Sequence, residues 1–162
     1  MNGEIGKTEK NLEKVEDWTS KASESGADLV LFPELVITGH WCSPEAWSHA
    51  EKVPDGPSVR RLETIAREYG VVVCAGLGEI ESGVQYNTQV VVGPDGYLGK
   101  QKKLHMSGDE YFYYRPGSQI NPIDIGKCVV GIAICYDNLF PEVPRILALK
   151  GCLLYTSPSP RD

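Results

Sequence analysis

The sequence predicts an α/β layered domain with a mixed sheet, and three observations carry that prediction. Short continuous apolar runs, suited to buried strands, alternate with stretches whose apolar residues recur every three or four positions. The opening order is helix, strand, helix, strand, strand, strand, which combines crossover connections with a hairpin. The apolar run 129–134 then stops at Cys135 and leads into a proline-bounded helix over 140–150. Such a strand–turn–helix junction places a thiol at the carboxyl edge of a sheet, where α/β proteins keep their reactive groups.

The elements follow in order. Leu12, Val15, Trp18 and Ala22 mark one apolar face of a helix over about 7–25, and Gly26 stops it. The charged residues opposite read as a solvated face. Residues 28–32 form a short buried strand ended by Pro33. Residues 38–53 read as an irregular loop. Asp55-Gly56-Pro57-Ser58 supplies a turn and a helix N-cap. Val59, Leu62, Ile65, Ala66 and Tyr69 supply the next apolar face, closed by Gly70. Residues 71–77 and 86–92 are two further strands, and Gly93-Pro94-Asp95-Gly96 turns the chain back as a hairpin.

Composition excludes several function classes. The 162 residues suffice for one domain with a real core. Sixteen Lys plus Arg against 22 Asp plus Glu give a net charge of −6, which argues against nucleic acid as a partner. No apolar run approaches the roughly 20 residues that cross a bilayer. Five cysteines at irregular spacings read as reduced thiols in the cytoplasm, not as a disulfide framework.

Several residue types could carry chemistry. Cys135 is either a small buried hydrophobe or a nucleophile whose following turn aims backbone N–H groups at a developing oxyanion. Glu34 follows the strand end among Phe32, Leu35, Val36 and Ile37. It either reaches solvent or is desolvated, with a raised pKa suited to a general base. Lys100, Lys102 and Lys103 resemble an edge-strand guard, but alternation puts Lys103 with Gln101 and His105 on one face, so one lysine is able to point inward. Residues 107–117 set acids beside four aromatics, either a sticky loop or a carboxylate held by an aromatic wall. His40, Cys42 and His49 fit no familiar metal spacing. Trp41 and Trp47 read as pocket wall or subunit contact.

Three separated stretches together resemble the nitrilase superfamily of carbon–nitrogen hydrolases. They are Leu31-Phe32-Pro33-Glu34, Lys102-Lys103-Leu104-His105-Met106, and Ile134-Cys135-Tyr136-Asp137 with Phe140-Pro141-Glu142. The resemblance implies Glu34 as general base, Lys103 as cationic partner, Cys135 as nucleophile, Glu110 as the residue positioning substrate and lysine, and the Tyr136 N–H as an oxyanion donor. It implies hydrolysis of a small-molecule amide or N-carbamoyl group through a cysteine thioester, without metal or organic cofactor. A homo-oligomer is implied for the full-length protein. The Cys-Tyr-Asp sequence resembles the amidase and carbamoylase branches more than the nitrilases. A nitrilase, an acyl-transferring relative and a noncatalytic interaction module are the alternatives.

The implied fold is a four-layer α-β-β-α sandwich of which this chain carries a portion, incomplete at both ends. Residues 1–151 are expected to be the hydrolase portion. The segment 152–162, ending Thr156-Ser157-Pro158-Ser159-Pro160-Arg161-Asp162, is expected to be a non-native tail, because it is poor material for a core strand. A half-sandwich would leave one sheet face bare, so activity is expected of the family and not of this polypeptide by itself.

Overall fold

The computed structural model describes residues 3–40, 42 and 44–156. Two sheets stack between two layers of helices. The first sheet runs in the order β1 (Leu29–Leu31), β2 (Val72–Glu81), β3 (Val84–Gly93), β4 (Gly96–Lys102). β1 is parallel to β2, and the remaining pairs are antiparallel, so the sheet is mixed. The second sheet comprises β5 (Ile123–Asp124), β6 (Val129–Ile132) and β7 (Leu154–Thr156), with β6 and β7 parallel.

Each layer is joined by its own apolar cluster. On one face of the first sheet, Val73, Ala75, Leu77, Val90 and Val92 pack under α1 (Thr8–Glu24) and α2 (Pro57–Tyr69), through Leu12, Val15, Val59, Leu62 and Ile65. On the other face, Val72, Cys74 and Val91 meet Ile123, Val130, Ile132 and Ile134 of the second sheet. Beyond that sheet, Ala133 and Cys152 pack against Val143 and Leu147 of α4 (Glu142–Leu149). The architecture is therefore α-β-β-α in four layers, as the resemblance implied. Each fully buried Val, Leu or Ile contributes about 1.5–3 kcal/mol of transfer free energy to this packing.

Local chemistry explains the boundaries. β2 and β3 are longer than the apolar runs, because Ser82 and Gly83 both adopt positive φ (52° and 75°) and form a two-residue hairpin turn. Gly70 ends α2 in the left-handed region. The expected side-chain cap of α2 is replaced. Gly56 is the N-cap, Pro57 is the first helical residue, and the Glu51 carboxylate accepts from Ser58 N at 2.9 Å and Ser58 Oγ at 2.6 Å. Trp18 is 55% exposed, with Thr19 buried in its place. The helix turns its stripe slightly further than the apolar residues alone indicated, and Thr19 satisfies its hydroxyl on Val15 O at 2.7 Å.

Part of the expected tail takes a place in the sheet. Leu154–Thr156 pairs with Val130–Ile132, and Thr156 is buried. A short strand with one buried threonine suffices there because parallel pairing supplies the hydrogen bonds. Residues 157–162 lie outside the described residues. Leu149 and Leu153, beside this layer, are about four-fifths exposed (78% and 80%).

Candidate active site

Four chain segments deliver side chains to one point at the carboxyl ends of β1 and β6. After β1, Phe32 N donates to Cys74 O and Ile37 N donates to Gly76 O, so the turn carrying Glu34 is clasped against β2. Leu35 within this turn has φ 52°, an uncommon conformation for a branched residue. Lys103 leaves β4 with its N–H on Asn87 O and its carbonyl taken by Gly117 N. Glu110 begins α3 (Glu110–Tyr113). Cys135 follows β6 with φ 47° and opens a 3₁₀ turn over Cys135–Leu139. A non-glycine residue held at positive φ is the kind of strain that clusters at functional sites.

The centre of the cluster is a buried ammonium between two carboxylates. Lys103 Nζ lies 2.8 Å from Glu34 Oε2 and 2.7 and 2.9 Å from the two oxygens of Glu110. Lys103 and Glu34 are each 1% exposed. Of the three lysines, Lys103 is thus the one that points inward. Lys100 pairs with Glu79, and Lys102 pairs with Glu81 at 2.7 Å.

Glu34 corrects one expectation. Burial does push its carboxyl up, but the His40 contact, the Lys103 ammonium and the Cys135 thiol together pull it down to about 2. Of the groups that reverse the sign, His40 follows on the same loop and Lys103 lies 69 positions away. Burial likewise works against the Lys103 charge, but Glu34 and Glu110 hold its pKa above the ordinary lysine value. Glu110 is also not held by an aromatic wall. Its Oε2 accepts from Ser107 N and Ser107 Oγ, both at 2.8 Å, while Tyr111 and Phe112 face outward and only Tyr114 is deeply buried nearby.

Three further residues shape the site, and none was singled out for it in the sequence. Asn87 on β3 donates its Nδ2 to Glu34 Oε2 at 2.8 Å. His40 places Nε2 3.5 Å from Glu34 Oε1, a charge contact longer than a hydrogen bond. Asp137 is fully buried and ties two strand ends together, accepting from Leu104 N (3.1 Å), His105 N (2.8 Å) and Ile134 N (3.1 Å). His105 Nδ1 adds a contact at 2.9 Å, and its ring stacks on Phe140. Asp137 therefore fixes the distance between the Lys103 loop and the Cys135 turn. The signal for Asn87 was the alternation Gln85, Asn87, Gln89, which puts three buried amides on one face of β3.

Among the described residues, neither Cys42 nor His49 joins His40 in a cluster of donor atoms. His49 packs on Gly6, where a Cβ would lie 2.6 Å from its Nε2. Among the described residues, Glu34, His40 and Glu110 each present a donor atom within 4.8 Å of one another. The Lys103 ammonium, bonded to both carboxylates, already supplies the cation there. Trp47 is exposed, and Trp41 lies outside the described residues. No helix among the described residues is long and apolar enough to cross a membrane.

The chain is similar to several known proteins. A nitrilase of Pyrococcus abyssi is 40% identical over 162 residues, covering 98% of this chain and 62% of its own length. A human omega-amidase is 32% identical over 161 residues, covering 91% of this chain and 57% of its own length. The crystal structure of an amidase from Nesterenkonia sp. superposes with a TM-score of 0.88 at 27% identity, over 98% of this chain and 61% of that one. The structure of a mutant amidase from Nesterenkonia sp. AN1, with a TM-score of 0.88 at 26% identity, shows the result of Michael addition of acrylamide at its active-site cysteine. The chain thus spans roughly three-fifths of the length of these relatives. The carbon–nitrogen hydrolase family model matches residues 1–161, and the chain belongs to that family.

Proposed function

We propose that this chain carries the catalytic groups of an amidase-type hydrolase acting on a small-molecule amide or N-carbamoyl compound. The observation that carries the reading is the buried Lys103 ammonium held between Glu34 and Glu110, with the Cys135 thiol close enough to Glu34 to help lower its pKa. A thiol beside a carboxylate, beside a cation, is what acyl transfer through sulfur requires.

The steps follow from those groups. Glu34 takes the Cys135 proton as sulfur bonds to the carbonyl carbon. The carbonyl π pair moves to oxygen, which Lys103 Nζ and the Tyr136 N–H stabilise; the latter sits in the first turn of the 3₁₀ segment, where amides lack a partner within the turn. The C–N bond breaks as Glu34 returns the proton to the leaving nitrogen, giving ammonia or an amine and a thioester. Water then adds with Glu34 again taking the proton, and the S–C bond breaks as Glu34 returns that proton to sulfur, releasing the acid and the free thiol. A carboxylate with a pKa of about 2 is a poor base at rest. Turning Lys103 toward the substrate oxygen removes part of its support for the Glu34 charge, so basicity rises when substrate is present. Glu110, anchored on Ser107, keeps Lys103 in place during that turn.

The reading includes the cytoplasm as the location, since no disulfide joins the cysteines, and a homo-oligomer as the full-length state. A nitrilase is the second reading, favoured by the name of the 40%-identical Pyrococcus relative. The test is ammonia release from paired small amides, carbamoyl compounds and nitriles by the full-length protein and by Cys135→Ala. Turnover of amides abolished in the variant is expected. Substantial turnover without the thiol removes Cys135 from the mechanism, and preference for nitriles selects the second reading.

A further inference from the structure

His40 is the charged group of this cluster that no step above uses. Its side chain is 41% exposed, so it exchanges protons with solvent, whereas Glu34 beside it has a fully buried side chain. The two oxygens of Glu34 are not equivalent. Oε2 already accepts from Lys103 Nζ and Asn87 Nδ2, both at 2.8 Å. Oε1 is the oxygen left to receive the thiol proton, and Oε1 is the one that His40 Nε2 faces at 3.5 Å.

We propose that His40 is a positioning residue for the transfer of the Cys135 proton: protonated, it holds Glu34 Oε1 in an ion pair and slows that transfer, and neutral, it releases Oε1 to accept the proton. This rests on Glu34 being the base in the reaction above.

Charge balance supports the assignment. Glu34 and Glu110 carry two negative charges against one on Lys103. A protonated His40 makes the cluster neutral. The groups facing this imidazole are Glu34 on its own loop, Lys103 after β4 and Glu110 at the start of α3. Cys135 reaches it through Glu34, and Cys42 lies within the field of Glu110, Asp109, Lys103 and Glu34. The Glu34 contact raises the His40 pKa above its ordinary 6.5, against burial, which lowers it, and Glu110 adds to the rise while Lys103 opposes it. The charged, restraining form therefore persists toward neutral pH and is lost as pH rises further.

The test is the alkylation rate of Cys135 by iodoacetamide in the full-length protein between pH 5 and 9. The Cys135 peptide is followed by mass spectrometry, so the other cysteines do not interfere. His40→Asn and His40→Gln are compared with the parent. The parent is expected to show a rate that falls on the acid side through the His40 titration. Both variants are expected to lose that fall and to react about tenfold faster at pH 6, the equivalent of one pKa unit. A gain under threefold overturns the proposal, as does a variant slower than the parent at every pH, which would make the imidazolium a direct support for the thiolate. Because the readout is alkylation, a failure of amide turnover in the parent would refute the hydrolase reading without altering this result.

Discussion

Gly76 is where a single methyl group should disable the site. It lies on β2 beneath the turn that carries Glu34, and a Cβ there would sit 2.3 Å from Leu35 N, 2.7 Å from Glu34 Cα and 2.7 Å from Gln89 Oε1. Two of those atoms are backbone, so no side-chain rotation relieves them. Ordinary carbon contacts begin near about 3.5 Å, which requires the turn to move by about 1 Å. That turn is clasped to β2 by the Ile37 N–Gly76 O and Phe32 N–Cys74 O bonds, at 3.0 and 2.8 Å. The displacement therefore falls on Glu34 and on its 2.8 Å bond to Lys103. A shift of this size in a reacting group costs about 10²-fold in rate, and the overpacking costs about 1–3 kcal/mol of stability. Gly78, two residues along the same strand, is the control. A Cβ there meets nothing closer than 3.6 Å. Amide turnover and thermal melts of Gly76→Ala and Gly78→Ala in the full-length protein make the comparison. If Gly76→Ala stays within threefold of the parent, or if Gly78→Ala is as damaged, close approach of β2 does not set the Glu34 position.

Asp137→Ala should lower stability by at least about 3 kcal/mol in a denaturant melt, because three backbone N–H groups lose their acceptor at about 1–3 kcal/mol each. Asp137→Asn keeps one oxygen and should cost about half; equal losses would show that the carboxylate and not the staple matters. Glu34 is held to about 2 in the fold against an ordinary 4.5, so the unfolded chain binds the extra proton between those values. Stability from this group is complete above pH 4.5 and is lost as pH falls toward 2, an effect of order 3 kcal/mol. Asp137, which burial pushes up, works in the opposite sense at the top of that window. Thermal melts from pH 2 to 6 should show a shallower acid limb in Glu34→Gln than in the parent, and identical limbs would exclude Glu34 as its source.

The layers were legible because they are local. Leu12 and Val15, or Val59, Leu62 and Ile65, announce a buried helix face by spacing alone, and the structure buries them. Trp18 was misplaced by the same logic. Size and apolarity suggested burial, but a residue at the margin of the stripe can lay its ring along the surface under Lys21, whose Nζ sits 5.1 Å from it. The strand ends at Glu81 and Val84 were missed because polar residues continue the ladder past the apolar run until Ser82 and Gly83 allow the turn.

The site divides along the same line. Lys103 was within reach of the alternation argument, since Gln101 and Lys103 share a face and both are buried. The burial of Glu34 was visible in its apolar neighbours, but the direction of its pKa was not. That direction depends on Lys103, 69 positions away, and on His40, whose imidazole folds back over Glu34 from further along the same loop. A carboxylate in an apolar stretch predicts a raised pKa only if no cation is folded onto it. Asp137 shows the limit most clearly. Its place beside Cys135 suggested part of a motif, yet its work is on Leu104 and His105, more than 30 positions earlier. Sequence spacing reveals which residues share a surface, while the sign and strength of their chemistry are set by partners that only the fold brings near.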